Sequence, residues 1–129
     1  YLSQTFGKND NRKKLFNTLK KNYKNIETTF LASSKFYMNL ISINDVIKGV
    51  DLLIKKNIKS GNFGLLNKEN TNISQLIKLF NKKRKKKIKF KFLSNKIINE
   101  KNIKYKLIPG WKPKKSQMTD IFNYIKDEK

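Results

Sequence analysis

Apolar positions recur along this chain with two different periods. Val46, Ile47, Val50, Leu53 and Ile54 follow at spacings of three and four, with Lys48, Lys55 and Lys56 on the other side, which predicts an amphipathic helix. Directly before it, Leu40-Ile41-Ser42-Ile43 has the apolar, β-branched content of a strand. Asn44 or Asp45 is placed to cap the helix, because a short side-chain acceptor satisfies amides that the first turn leaves free. Gly49 lies inside the helix, where it costs roughly 0.8–1 kcal/mol relative to Ala. That cost points to a close contact with a neighbouring element. The stretch from Phe36 to Lys56 is therefore an α/β crossover unit around which the rest is read.

Residues 1–7 read as a short strand closed by Gly7. Asp10 or Asn11 then caps a helix from Arg12 to Asn22, with Leu15, Phe16 and Leu19 on one side. Tyr23 to Thr29 reads as loop, Phe30-Leu31 as a brief strand, and Ser33-Ser34-Lys35 as a turn. After the central unit, Asn57 to Gly61 is the helix exit and Asn62 to Leu66 a compact apolar strand. Gly64 inside that strand indicates close approach of another backbone or a ligand. Past the turn Lys68–Thr71, Thr71 or Asn72 leads into a helix with Ile73, Leu76, Ile77 and Phe80 aligned. Residues 36–82 thus run in βαβα order, for which a right-handed crossover and a parallel pair are the economical arrangement. Lys82 to Lys87 reads as a solvated helix end. Ile88 to Phe92 alternates strictly, as on an exposed or edge strand. Asn95 to Leu107 reads as a short helix and Pro109–Pro113 as a rigid link containing Trp111. Ser116 caps a last helix through Met118, Ile121, Phe122 and Ile125.

Composition narrows the chemistry. With 129 residues the chain is one domain with a modest core or a piece of something larger. It has no cysteine and no histidine, which removes disulfides, thiolate metal sites and the commonest neutral-pH acid/base, so no metal is expected. No apolar run reaches the roughly 18 residues needed to cross a bilayer, and Tyr1-Leu2-Ser3-Gln4 does not open like a signal peptide. The chain enters directly in a strand and not at a Met, from which the expectation is that an N-terminal part is missing. The formal net charge of +22 would suit nucleic acid or an anionic surface. Against this, only Arg12 and Arg84 are arginines, whereas base and phosphate reading leans on Arg geometry. The lysines are spread over every segment among many asparagines. A nucleotide sugar is equally compatible with a positive field.

The residues carry little that resembles an active site by themselves. There is no phosphate-cradling glycine loop, no close carboxylate pair and no nucleophile motif. Asp45 is the most conspicuous carboxylate and reads as a helix cap. Gln4 and Thr5 are better placed, at the C-terminal end of a strand, where ligands bind in parallel α/β sheets. Tyr1 has no neighbouring Lys to lower its pKa and is given no acid/base role.

The order of the pieces resembles the C-terminal half of the extended short-chain dehydrogenase/reductase group, the NAD-dependent epimerase/dehydratase family acting on nucleotide sugars. Gln4-Thr5-Phe6-Gly7 resembles the family's Asn-Val-Tyr-Gly segment, with Gln4 as a longer amide at the Asn position and Lys8 where a proline often follows. Leu15 to Lys20 is similar to the helix leading into the substrate region, with Lys14 just before it. Met38-Asn39-Leu40-Ile41-Ser42-Ile43-Asn44-Asp45-Val46 resembles Arg-Asp-Phe-Ile-His-Val-Asp-Asp-Val. Met38 stands where an Arg often clamps the diphosphate and Ser42 where a His stands, so another cation has to substitute. Gly61 to Asn67 is similar to Gly-x-Tyr-Asn-Ile-Gly-Ser, with Phe63 at the Tyr and Gly64 at the Asn. Gly110-Trp111-Lys112-Pro113 is similar to the Gly-Trp-x-Pro signature before the final helix.

The resemblance implies an α/β fold made of the last parallel strands of a Rossmann-type sheet plus the small substrate-binding region. It implies substrate binding by Gln4, Thr5, Lys14 and Met38, cofactor contact by Gln4 and Phe6, and structural roles for Asp45, Gly64 and Trp111. The glycine-rich loop and the catalytic Tyr-x-x-x-Lys with its Ser/Thr partner would lie upstream of Tyr1, leaving no catalytic residue in this chain. The parent protein would use NAD or NADP for hydride exchange on the sugar nucleotide, and this piece alone would bind neither. Among members of that family, the Lys/Asn-rich composition and the missing Arg resemble those of bacterial surface-polysaccharide enzymes, which implies a cytoplasmic location. The resemblance also implies that strands 1–7 and 62–66 lack a neighbour, leaving an exposed apolar surface or an oligomer contact such as a homodimer. The competing expectations are a small lysine-rich nucleic-acid module using Lys82–Lys87, Lys89 and Lys91, or a non-catalytic remnant.

Overall fold

In the computed structural model, residues 1–100, 105–114 and 117–126 are described. The chain folds around a narrow parallel ladder. Strand β1 (Gln4–Phe6) pairs in parallel with β4 (Leu40–Ser42), Thr5 opposite Ile41. On the other edge of the same segment, Leu2 forms a parallel bridge with Leu65, held by Ser3 N–H to Leu65 O at 3.2 Å and Leu65 N–H to Tyr1 O at 2.8 Å. Leu65 follows β5 (Phe63–Gly64), which pairs in parallel with β9 (Lys106–Leu107). The first segment therefore sits between the two strands of the expected crossover, which are not direct neighbours. Three short strands, β3 (Phe36–Met38), β6 (Thr71–Asn72) and β8 (Ile98–Asn99), form a second sheet, and β2 (Thr28–Leu31) pairs in parallel with β7 (Lys89–Phe92). The pairing supplies the partner that Phe30-Leu31 lacked in sequence.

Strand β4 is buried at all of its positions, as expected of a parallel strand covered on both faces. Because side chains alternate, Leu40 enters one core and Ile41 another. The first core gathers Phe6, Phe16, Leu19, Leu31, Ile73, Leu76, Ile77, Phe80, Ile121 and Phe122 from the ladder, β2 and three helices. These helices are α1 (Leu15–Asn25), α3 (Ile73–Lys83) and α4 (Met118–Lys126). The second core holds Ile41, Val46, Ile108 and Trp111 beneath helix α2 (Ile43–Lys55).

Several element boundaries depart from expectation for local reasons. Helix α1 starts at Leu15 and not at Arg12, because Asp10 bonds Arg12 instead of capping, and Lys14 makes no side-chain cap. It continues through Tyr23, which is buried edge-on against Phe80 at 5.3 Å, so Tyr23 to Asn25 are helical. Residues 36–42 are two strands parted at Asn39, Ile43 already opens α2, and the cap of α2 is Ser42, whose hydroxyl accepts from Asp45 N–H at 3.2 Å. Asn44 and Asp45 do not cap. At α3 the cap is Asn72, accepting from Gln75 N–H at 3.0 Å, and its aligned apolar residues are all buried. Lys82 and Lys83 end α3 in solvent, while Lys86 reaches Lys24 O at 3.2 Å and lies over the Tyr23 ring. In the stretch expected as a helix from Asn95 to Leu107, the described residues form β8 and β9 instead. Ser116 lies outside the described residues.

Gly49 faces the neighbour that its position called for. A Cβ there would stand 2.4 Å from Leu65 Cδ2 and 3.0 Å from Trp111 Nε1, so only glycine lets α2 lie this close to the ladder.

Candidate functional site

The carboxyl ends of β1 and β4 open into one cleft of about 380 Å³. Its wall after β1 is Phe6, Gly7 and Lys8. Its wall after β4 is Ser42 with Ile43 and Asn44 of the first turn of α2, and α4 closes it with Asp120, Asn123 and Tyr124. Gly7 is required by contact, since a Cβ would fall 2.3 Å from Ile43 Cγ2. The loop between β1 and α1 is locked by charge. Asp10 takes Arg12 Nε at 2.7 Å and Nη2 at 2.6 Å, and Nη2 also donates to buried Thr5 Oγ1 at 3.1 Å. Asn17 Nδ2 donates to Asp10 O at 2.7 Å, and the Tyr124 hydroxyl donates to Asn17 Oδ1, tying the loop to α4.

The Arg12 hydrogen bond holds the Asp10 carboxyl down to about 2 from its ordinary 3.8, against the opposing effect of burial. Burial, then the Asp10 charge, pushes the Tyr124 hydroxyl up, so it stays a proton donor. Asp120 accepts from Lys114 Nζ at 2.8 Å, which raises the Lys114 pKa. A depressed carboxylate stabilises the fold above its unfolded pKa and loses that contribution as pH falls through the folded value. Unfolding midpoints in urea are therefore expected to drop between about pH 4 and about pH 2, and Asp10→Asn to flatten that part of the profile. Arg12 is 57% exposed, so added salt should shrink the effect.

What remains accessible in the cleft is one cation, Lys8, and two amides, Asn44 and Asn123, beside Phe6 and Ile43. This arrangement offers one positive charge and two amide side chains for hydrogen bonding beside an apolar wall. It presents no carboxylate poised as a base, because Asp120 is paired.

No protein-family model and no curated protein matches the chain. Solved structures do. The chain is 14% identical to dTDP-glucose 4,6-dehydratase from Bacillus anthracis in complex with NAD, with a TM-score of 0.70, covering 97% of this chain and 42% of that one. It is 20% identical to UDP-glucuronic acid 4-epimerase from Bacillus cereus in complex with UDP-glucuronic acid and NAD (TM-score 0.73, 97% and 43% covered). It is 12% identical to UDP-N-acetylglucosamine 4-epimerase from Methanobrevibacter ruminantium in complex with UDP-N-acetylmuramic acid (TM-score 0.73, 97% and 43%). The chain has the fold of the C-terminal part of sugar-nucleotide epimerases and dehydratases. It spans less than half the length of these structures.

On this epimerase/dehydratase fold the sequence-selected residues do not converge. Phe6 lines the cleft and packs on Phe16 and Tyr124. Thr5 is buried against Arg12, Lys14 precedes α1, and Met38 is half-buried in β3 against the first core. The Gln4 amide donates to Glu100 Oε1 at 3.0 Å, and Glu100 Oε2 accepts Asn39 N–H at 2.6 Å. Asn39 also holds Asn67, taking its N–H at 2.9 Å and donating to its carbonyl at 2.9 Å. This polar web was missed in sequence, although a lone Asn interrupting an apolar run signals it. Asp45 is buried, accepts from Lys114 N–H at 3.0 Å and Gln117 Nε2 at 2.9 Å, and its carbonyl takes Trp111 Nε1 at 3.0 Å. At Gly64 a Cβ would stand 2.7 Å from Tyr105 Cβ, the close approach of the adjoining segment. Asp120, Asn123 and Tyr124 were missed because α4 lies more than a hundred residues from β1 in sequence. Among the described residues no cluster of carboxylates could hold a metal, and no helix is long and apolar enough to cross a membrane.

Proposed function

We propose that this chain is the nucleotide-sugar-binding portion of an NAD(P)-dependent epimerase, dehydratase or reductase, completed by an N-terminal dinucleotide-binding part. The observation that carries the reading is the cleft at the carboxyl ends of β1 and β4, the edge at which parallel α/β sheets bind ligands. Lys8 is the substitute cation for the diphosphate, and Asn44 and Asn123 orient sugar hydroxyls. In this reading Thr5 acts only through its hydrogen bond from Arg12, and Gln4 and Met38 are not part of the cleft lining. NAD or NADP belongs to the other part. The chain alone is then inactive, and the whole enzyme works in the cytoplasm on sugars destined for surface polysaccharide.

The test is calorimetric titration of the chain, co-produced with its dinucleotide-binding part, with UDP-, dTDP-, CDP- and GDP-sugars. One of them is expected to bind, and Lys8→Glu or Asn123→Ala to weaken it by about tenfold, or 1.4 kcal/mol. No binding by any sugar nucleotide, together with steeply salt-dependent binding of short DNA, would contradict the proposal and favour the lysine-rich module.

A further inference from the structure

Strands β2 and β7 form a two-stranded sheet with one face covered and one bare. Thr29 and Leu31 are buried, Thr29 Oγ1 accepts from Asn22 Nδ2 of α1 at 2.9 Å, and Phe90 packs against the first core. Alternation sends the intervening residues to the opposite face. There Thr28 stands opposite Lys89 and Phe30 opposite Lys91. The Leu93 N–H donates to Leu31 O at 2.9 Å, which carries the pairing on to Leu93. Phe30 is 61% and Leu93 70% exposed, with Lys89 and Lys91 exposed beside them. At the head of β2, Ile26 is the left-handed cap of α1 and is 60% exposed.

The charge around this face is almost all positive. Residues 82–91 carry eight Lys and Arg and no carboxylate. Two of these lysines build the loop that precedes β7. Lys87 Nζ donates to Asn81 O and Arg84 O, and Lys86 reaches Lys24 O and the Tyr23 ring. The Asn81 side chain closes the loop on Ile88, taking its N–H at 2.7 Å and donating to its carbonyl at 2.9 Å. The loop's cations are thereby held between the end of α1 and the start of β7. Lys85, Lys89 and Lys91 take part in no described ion pair. Glu27 is the one carboxylate from residue 11 to residue 44, and it accepts from Asn25 Nδ2 at 3.4 Å.

Exposed apolar side chains set among long lysines match the boundary of an anionic bilayer. The apolar groups enter the acyl edge, while lysine stems lie along them and the ammonium groups meet lipid phosphates. A nucleic acid fits this face less well. Leu93 and Ile26 present no flat ring to a base, and Arg84, the single arginine here, is half-buried. We infer that the outer face of β2 and β7, with the Lys82–Lys87 loop, seats the protein on a membrane surface rich in anionic phospholipid. None of these residues lines the cleft, so the inference goes beyond the functional reading and does not rest on it.

The test is co-sedimentation of the full chain with vesicles of phosphatidylglycerol and phosphatidylcholine in equal parts, and with vesicles of phosphatidylcholine alone. Binding to the first and not the second is expected, falling as salt is raised. The double variant Phe30→Ser/Leu93→Ser, which keeps every charge, is expected to weaken vesicle binding about tenfold while leaving the urea midpoint unchanged. Lys89→Gln/Lys91→Gln should weaken it to a similar degree. Failure to bind the anionic vesicles, or binding indifferent to the Phe30/Leu93 change, would overturn the inference. So would tighter binding of short duplex DNA than of vesicles, which would assign the face to nucleic acid. Sugar-nucleotide titration of the Phe30/Leu93 variant should match the unaltered protein, which keeps failure here distinct from failure of the functional reading.

Discussion

Replacing Asp45 with alanine is expected to lower the unfolding free energy by about 3 kcal/mol. The carboxylate is 2% exposed and holds Lys114 N–H and the Gln117 amide, while Gln117 Oε1 in turn accepts Ser42 N–H at 2.9 Å. Truncation leaves buried donors without acceptors and frees the segment that leads into α4. Because α4 supplies Asp120, Asn123 and Tyr124 to the cleft, the same change should loosen one cleft wall before global unfolding. Urea denaturation followed by the emission of Trp111, the single tryptophan, reads both effects, since Trp111 Nε1 is bonded to the Asp45 carbonyl. An unchanged midpoint would show that the link between α2 and the C-terminal segment is dispensable.

Phe80→Ala should cost more, about 4 kcal/mol, through lost burial and the cavity left behind. The ring is fully buried and meets both Tyr23 and Phe122 edge-on at 5.3 Å, so it joins α3 to α1 and α4. Circular dichroism against urea would register the loss as a lower midpoint with a similar slope. Ile54→Ala is the contrasting case. Its side chain is 75% exposed, and its removal should leave the isolated chain's midpoint nearly where it was.

The parts of this fold legible in sequence are those fixed by local pattern. The aligned apolar face of α3 lies within one helix and is found, and of the two residues offered at its start, Thr71 and Asn72, Asn72 is the cap. The adjacency of Gly49 to another element was readable because a glycine inside a helix costs stability without a compensating contact. What failed was decided at a distance. Ile47, Val50 and Ile54 read as core from spacing, yet spacing cannot say which apolar residues their own chain covers. The Asn95–Leu107 stretch has helical spacing, but Ile98-Asn99 pairs with Phe36-Tyr37 and Lys106-Leu107 with Phe63-Gly64, so tertiary strand partners override it. Gln4 was singled out for a place at the C-terminal end of a strand, but it is the first residue of β1, at the end away from the cleft. The acceptor that engages it, Glu100, lies 96 residues away and leaves no local trace.

The cleft beyond β1 and β4 is proposed to take a nucleotide sugar. Amide resonances of the isotope-labelled chain, co-produced with the proposed dinucleotide-binding part and titrated with UDP-, dTDP-, CDP- and GDP-sugars in turn, test it most directly. The account predicts that one of these ligands produces saturable shifts clustered at Gly7, Lys8, Asn44 and Asn123, with Lys89 and Lys91 unmoved. Shifts confined to Lys82–Lys87 and the β7 lysines, or none with any of the ligands, would contradict it.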